Sequence, residues 1–186
     1  MHVRRCSYCI KLGENMLGNK ALKSTLFVGM LTMAGLTLSF QANAGCNLVS
    51  TKDGSPVTIK VTDADTPQAK EFLETCINPY TKAFAKDPEA AKAGKKKFGL
   101  YSCTQCHGPN GGGQVAVAIT DATWQYPKHT TDKGMFETIA NGSNGGMFAW
   151  HQQLGNAENP STDEILKMIG WLRTQYKGGG ETPWMK

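Results

Sequence analysis

The chain has 186 residues, 40% of them hydrophobic, and 20 lysines and arginines against 15 aspartates and glutamates give a formal charge of +5. Five of those basic residues and one acid, Glu14, precede position 45, so residues 45–186 carry a net charge of +1. That length holds one modest domain with accessories, and the near-neutral balance excludes a nucleic-acid binder.

Thr25 to Phe40 is a mostly apolar run of 16 positions behind Lys20 and Lys23, followed by Ala42-Asn43-Ala44. Positive flank, apolar stretch and small-x-small site are the three parts of a secretory signal peptide, and the run is short for a membrane span. Residues 1–44 are therefore predicted to be a removable leader. Met16 is an alternative start, which leaves Cys6 and Cys9 in an upstream extension. Export to the periplasm follows, with no stable membrane insertion after cleavage. Two alternatives stay open, an uncleaved anchor and a lipid on Cys46. Asn43 opposes the second, because it stands where a lipobox prefers an aliphatic residue.

Residues 45–86 are predicted to be an N-terminal extension. Val57, Ile59 and Val61 alternate with Thr58 and Lys60, the period of a short half-buried strand. Thr66-Pro67 is an N-cap followed by proline at the first helical position, opening a helix to about Cys76. Asn78-Pro79 breaks it before a short helical stretch near Tyr80 to Ala85. Asp63 and Asp65 could begin a calcium site, but an oxygen cage needs more ligands, and a solvated turn is the simpler reading. Cys46 and Cys76 are predicted to pair, since thiols exported to an oxidising space commonly do; a frayed Cys46 with a buried free Cys76 is the alternative.

Residues 87–177 hold the chemistry, and 178–186 form a tail. Asp87-Pro88-Glu89 starts a helix whose stripe is Ala91, Gly94, Phe98 and Tyr101, with Lys92, Lys95, Lys96 and Lys97 mostly on other faces. The helix runs into Cys103-Thr104-Gln105-Cys106-His107, the spacing for covalent attachment of a c-type haem. Cysteines three apart lie on one side of a helical turn, where each thiol can add to a porphyrin vinyl group, and the adjoining imidazole can then bind the iron. A zinc knuckle would need a second distant pair. A thioredoxin-like dithiol would follow a strand rather than a helix. Further on, Asp132 to Ala140 is predicted as a helix stopped by Asn141-Gly142. Ser161-x-x-Glu164 is a capping box ahead of the stripe Ile165, Met168, Ile169, Leu172 and Tyr176. Gly94 and Gly170 mark places where helices pack closely.

First helix with Gly94 and Phe98, haem motif, glycine-rich loops and a terminal amphipathic helix together resemble class I cytochromes c over residues 87–177. A narrower likeness spans 63–186. Asp65-Thr66-Pro67, Phe72-Leu73-Glu74-Thr75, Asn78-Pro79-Tyr80 and Cys106-His107-Gly108-Pro109-Asn110-Gly111 are similar to the cytochrome c-L family. In that family's pattern, glycine is common at the position of Cys76. The resemblance implies an all-α haem domain wrapped by its N-terminal extension and one covalently bound haem c. It implies an electron acceptor of pyrroloquinoline-quinone methanol dehydrogenases, including the lanthanide-dependent branch, and a carrier rather than an enzyme.

The sixth iron position separates a carrier from a haem enzyme or sensor, because two protein ligands leave no open site. Met135, Met147, Met168, Met185, His129 and His151 are the candidates. Met168 and Met135 lie on helical stripes and read as core, and Met185 is in the tail. Met147 follows Gly145-Gly146, which permit close approach of backbone to a porphyrin. It also occupies the late loop that bears the ligand methionine in class I relatives, with Phe148 in place of their usual proline. The predicted set is thus Cys103 and Cys106 for attachment, with His107 and Met147 as axial ligands. His107 is expected to give its other ring nitrogen to a backbone carbonyl. Trp124 and Trp150 either donate to a propionate or simply pack in the pocket, and packing is preferred. The expected partners are a quinoprotein methanol dehydrogenase as electron donor and a downstream c-type cytochrome or oxidase as acceptor. A generic class I carrier serving another dehydrogenase is the nearest alternative.

Overall fold

Prolines and short polar caps set where the helices begin. The computed structural model describes residues 45–180 and 182–185, and the predicted leader lies outside them. Helix α1 (Pro67–Thr75) is capped by Thr66, α2 (Pro79–Lys86) by Asn78 and α3 (Pro88–Leu100) by Asp87. Each has proline at its start, where the missing N–H has no helical partner anyway. A single short turn, α4 (Cys103–His107), follows directly. Then come α5 (Asp132–Asn141), capped by Thr131, and α6 (Thr162–Thr174), where Ser161 and Glu164 form the expected capping box. Two-residue strands β1 (Leu48–Val49) and β2 (Pro56–Val57) pair antiparallel, Leu48 opposite Val57. Among the described residues no helix is long and apolar enough to cross a membrane.

Helix α6 is the centre of the fold, with ten of its thirteen residues buried, so it meets neighbours on nearly every face. Gly94 is where α3 crosses it. A Cβ there would strike the Lys167 carbonyl and lie 2.6 Å from Trp171 Cβ. Gly170 does the same on another face, where α2 approaches and a Cβ would lie 3.0 Å from both Tyr80 Cβ and Phe84 Cδ2. Both glycines therefore mark close packing, against different helices. Around them Phe72, Phe136, Ile165, Leu166, Met168 and Ile169 are fully buried.

Charges taken into this core are paired, as burial demands. The Asp163 carboxylate accepts from Thr66 Oγ1 (2.8 Å), Tyr80 Oη (2.7 Å) and Lys167 Nζ (2.7 Å). Arg173 Nε donates to Asp132 at 2.7 Å. Glu137 accepts the Val49 N–H at 2.8 Å while pairing with Lys128 and Lys133, which fastens β1 to α5. Asn78 Nδ2 donates to the Leu166 carbonyl at 3.0 Å, fastening the start of α2 to α6.

Two elements differ from expectation. The alternation at Val57, Ile59 and Val61 does not yield a strand of that length: pairing stops after Val57 and Val61 is exposed. Beyond it the Gln153 side-chain amide stands in for a partner strand, accepting from Lys60 N (2.9 Å) and donating to Lys60 O (2.8 Å). Tyr176 falls outside α6, which ends at Thr174, and stacks on Trp124 with ring centroids 6.1 Å apart. Asp65 accepts from Thr62 N and Oγ1, the local turn that competes with a calcium site.

Cys46 and Cys76 form a disulfide across 30 positions, with Cα atoms 4.9 Å apart. Cys76 ends α1 at φ +63°, a left-handed conformation that glycine adopts most readily. The departure from the family pattern is thereby explained: a cysteine at the turn ties the N-terminus to α1 in place of glycine's freedom. Cys46→Ser should lower unfolding free energy by about 3 kcal/mol in the loop-entropy picture. Urea unfolding of the mature protein measures this, and an unchanged midpoint would exclude a stabilising bridge.

Candidate functional site

A cavity of about 570 Å³ lies among α4, α5, α6 and the loops that connect them. Its size is that of a small-molecule or cofactor site. Phe98, Met135, Ile139, Met168 and Leu172 give it apolar walls, and Cys103, Cys106, His107 and Met147 all line it. The four predicted site residues, 40 or more positions apart at the extremes, therefore meet at one place.

The motif is presented by a tight return of the chain. Gly108, at φ +74°, has no room for a side chain, since a Cβ would lie 2.9 Å from the Gly113 carbonyl. Gly113 N donates to His107 O and Ala116 N to Cys106 O, both at 2.9 Å, so the loop folds back on α4. That return brings the Val117 carbonyl to 3.1 Å from His107 Nδ1. A carbonyl only accepts, so Nδ1 carries a proton, and in the neutral ring the lone pair is then on Nε2. The acceptor expected for His107 is Val117. Nothing in the sequence marks it, because a backbone carbonyl has no residue type.

The Met147 loop is held by α5. Gly142 closes that helix at φ +77°, and a Cβ there would lie 2.8 Å from Phe148 C and 3.0 Å from Ala149 N. Ser143 N donates to Met147 O (3.0 Å), and Trp150 N and His151 N donate to Ile139 O and Ala140 O (3.0 and 3.2 Å). Gly142 thus makes a close approach of its own, to the backbone of the Met147 loop, and Gly146 has a φ of +93° with open space beside it. Met135 and Met168 also reach the cavity wall, but each is buried in the core, as their helical stripes predict.

Both spare histidines are engaged in hydrogen bonds. His151 is fully buried, its Nε2 bonded to Thr162 Oγ1 (2.9 Å) and its Nδ1 accepting from Gln153 N (3.1 Å). His129 lines the cavity but gives Nε2 to Thr138 Oγ1 at 2.8 Å. Burial pushes both down to about 4, with Lys128 and Arg173 adding to the effect at His129. At Cys103 burial raises the thiol to about 11, opposite to the lowered value of a reactive dithiol. Among the described residues no cluster of three or more histidines, cysteines or acids could hold a metal ion. Trp124 and Trp150 both line the cavity, and Trp124 also packs on Tyr176 and Trp184. Two unbridged thiols, an imidazole with one nitrogen free, thioethers and apolar walls are a donor set that fits a haem.

The Cytochrome c family model matches residues 91–175. The chain is 34% identical over 178 residues to cytochrome c-L of Methylorubrum extorquens, covering 91% of this chain and 79% of that protein. The chain belongs to the cytochrome c-L family. Two solved structures agree. Cytochrome cL of Methylophaga aminisulfidivorans superposes with a TM-score of 0.64 at 30% identity, covering 76% of this chain and 88% of the other. Cytochrome cL of Hyphomicrobium denitrificans gives 0.59 at 34% identity, covering 72% and 76%. As a cytochrome c-L the chain carries one covalently bound haem c and is a class I electron carrier, not an enzyme.

The two buried histidines give this cytochrome a pH signature. Their folded pKa values lie below the ordinary 6.5, so the unfolded chain binds protons first as pH falls. Their contribution is complete above about 6.5 and is lost toward about 4. Urea midpoints should fall between pH 7 and pH 5 (on the order of the ordinary imidazole range), and His151→Gln should flatten that dependence. A stability independent of pH there would mean the histidines are charged in the fold.

Proposed function

We propose that this cytochrome works in the periplasm, taking single electrons from a quinoprotein methanol dehydrogenase and passing them to a downstream c-type cytochrome or oxidase. In this reading Cys103 and Cys106 carry the thioether links, and His107 and Met147 are the axial ligands of the iron. Residues 45–86 serve as an extension that buttresses the haem domain of 87–177, ahead of the tail at 178–186. The observation that carries the reading is His107 with Nδ1 committed to Val117, lining one cavity with the Met147 thioether. Likeness to cytochromes c-L over most of the chain points to the dehydrogenase as donor.

Haem c supplies a one-electron Fe(III)/Fe(II) couple. Val117 keeps the His107 ring oriented. A thioether from Met147 favours the ferrous state relative to a second imidazole and closes the iron to substrates. The apolar walls exclude water, which keeps the surroundings of the iron nearly unchanged between the two states.

The partner surface in this proposal is the rim of the cavity. Val115 is 80% exposed and Phe148 79%, both bordering the cavity mouth. Large exposed apolar side chains in such a position suit a small transient interface. Lys92, Lys95 and Lys96 lie exposed on α3, where Lys92 already pairs with Glu89.

Stopped-flow reduction of the ferric protein by methanol dehydrogenase plus methanol, beside other quinoproteins, tests the donor. Fast reduction by that enzyme is expected, and equal rates with unrelated quinoproteins would favour a generic carrier. Phe148→Asp should slow the reaction markedly with a native haem spectrum. Charge reversal at Lys95 and Lys96 should change it modestly, and less at high salt. The reverse ranking would move docking to α3. Met147→Ala should keep the covalent haem, open the sixth position to exogenous ligands and lower the potential. Retention of native methionine–iron absorption in that variant would transfer the ligand role to Met135.

A further inference from the structure

Among the polar side chains that line the cavity, Tyr126 and Ser143 enter it from two different loops. Their hydroxyls converge on Gly145: a Cβ at that glycine would sit 3.4 Å from Tyr126 Oη and 3.5 Å from Ser143 Oγ. Neither hydroxyl has a hydrogen-bond partner among the described residues. Two free donors facing one gap are suited to an anionic oxygen group. The haem brings such groups, its two propionate carboxylates.

We propose that Tyr126 and Ser143 are positioning residues that hold a haem carboxylate over Gly145, and that Ser143 ties this anion to the Met147 loop. The second half follows from the backbone, because the Ser143 N–H donates to the Met147 carbonyl at 3.0 Å. One residue thus touches the loop of the proposed ligand with its amide and the carboxylate gap with its hydroxyl. This inference rests on the haem occupying the cavity as proposed above.

The charged side chains nearby are engaged elsewhere. On the 3₁₀ turn at Pro127–Thr130, Lys128 pairs with Glu137, and His129 is bonded to Thr138 and kept neutral by burial. On α6, Arg173 pairs with Asp132 and gives Nη2 to the His129 carbonyl. On α4, His107 is bonded to Val117. In the N-terminal segment, Lys52 meets this loop through its carbonyl, which accepts from Asn144, and the residue is exposed.

Two donated hydrogen bonds stabilise the charged carboxylate and depress its pKa. A carboxylate that ionises near the iron lowers the reduction potential, so the potential should climb as pH falls through that pKa. Removing one donor raises the pKa, and the climb should begin at higher pH, by about one unit for one hydrogen bond.

Spectroelectrochemical titration of the holo-protein across pH tests this with Tyr126→Phe, Ser143→Ala and Gly145→Ala, the last placing a methyl between the hydroxyls. Tyr176→Phe removes a hydroxyl outside the cavity and serves as control. All three cavity variants should shift the midpoint of the potential–pH curve upward, and the control should leave it in place. Ser143→Ala should additionally weaken the methionine–iron absorption at low pH before wild type does. A wild-type potential independent of pH, or unmoved midpoints in Tyr126→Phe and Ser143→Ala, overturns the proposal. Covalent haem and native methionine–iron absorption in the wild type keep that outcome distinct from a failure of the ligand assignment itself.

Discussion

The contact between α3 and α6 at Gly94 is the constraint on which the rest depends. With no side chain there, the α3 backbone lies against the Lys167 carbonyl and Trp171. An alanine would gain about 1 kcal/mol of helix propensity over glycine, but its methyl would overlap a backbone carbonyl that cannot rotate away. Separating the helices would open the packing of Phe98 on Trp171, whose rings are 5.1 Å apart. Phe98, Met168 and Leu172 are also walls of the haem cavity, so the same crossing that builds the core shapes the cofactor site. Because α4 follows α3 directly, the crossing also fixes where Cys103, Cys106 and His107 begin.

From that fixed point the site is completed by loops rather than helices. The 108–117 return supplies the acceptor for His107, and the 142–151 segment, hydrogen-bonded along the end of α5, supplies Met147. Both loops use glycine where the chain reverses against another backbone. Their exposed apolar residues, Val115 and Phe148, are the by-product that makes a rim for transient contact. A carrier needs this combination: a rigid, dry interior that changes little between oxidation states, and an accessible edge.

Much of this was legible in the sequence, for identifiable reasons. Helix starts at Pro67, Pro79, Pro88 and Ser161 depend on local capping chemistry, which neighbours four residues away decide. The attachment motif is equally local. Gly94 and Gly170 could be read as close-packing sites, though not which helix each would meet. The reading weakened wherever distant residues act. Val57 to Val61 has strand periodicity, yet no strand lies beside it and a glutamine side chain takes the partner's place. Gly142, at which the Met147 loop folds onto α5, carried no signal in the sequence beyond stopping the helix. Backbone acceptors such as Val117 leave no trace in residue type at all. The leftover cysteines illustrate the intermediate case, since pairing was expected from the predicted export while the left-handed turn at Cys76 needed coordinates.

His107 and Met147 line one cavity, and in the function proposed above they would together hold the iron and leave it no open position. The most direct measurement is the NMR spectrum of the reduced holo-protein with isotopically labelled methionine methyl groups. A methyl bound at ferrous haem iron lies over the ring and is shifted far from the others by its current. One such methyl is expected, assigned to Met147, with Met135 and Met168, which also line the cavity, shifted far less. A shifted methyl belonging to Met135, or none at all, would contradict it.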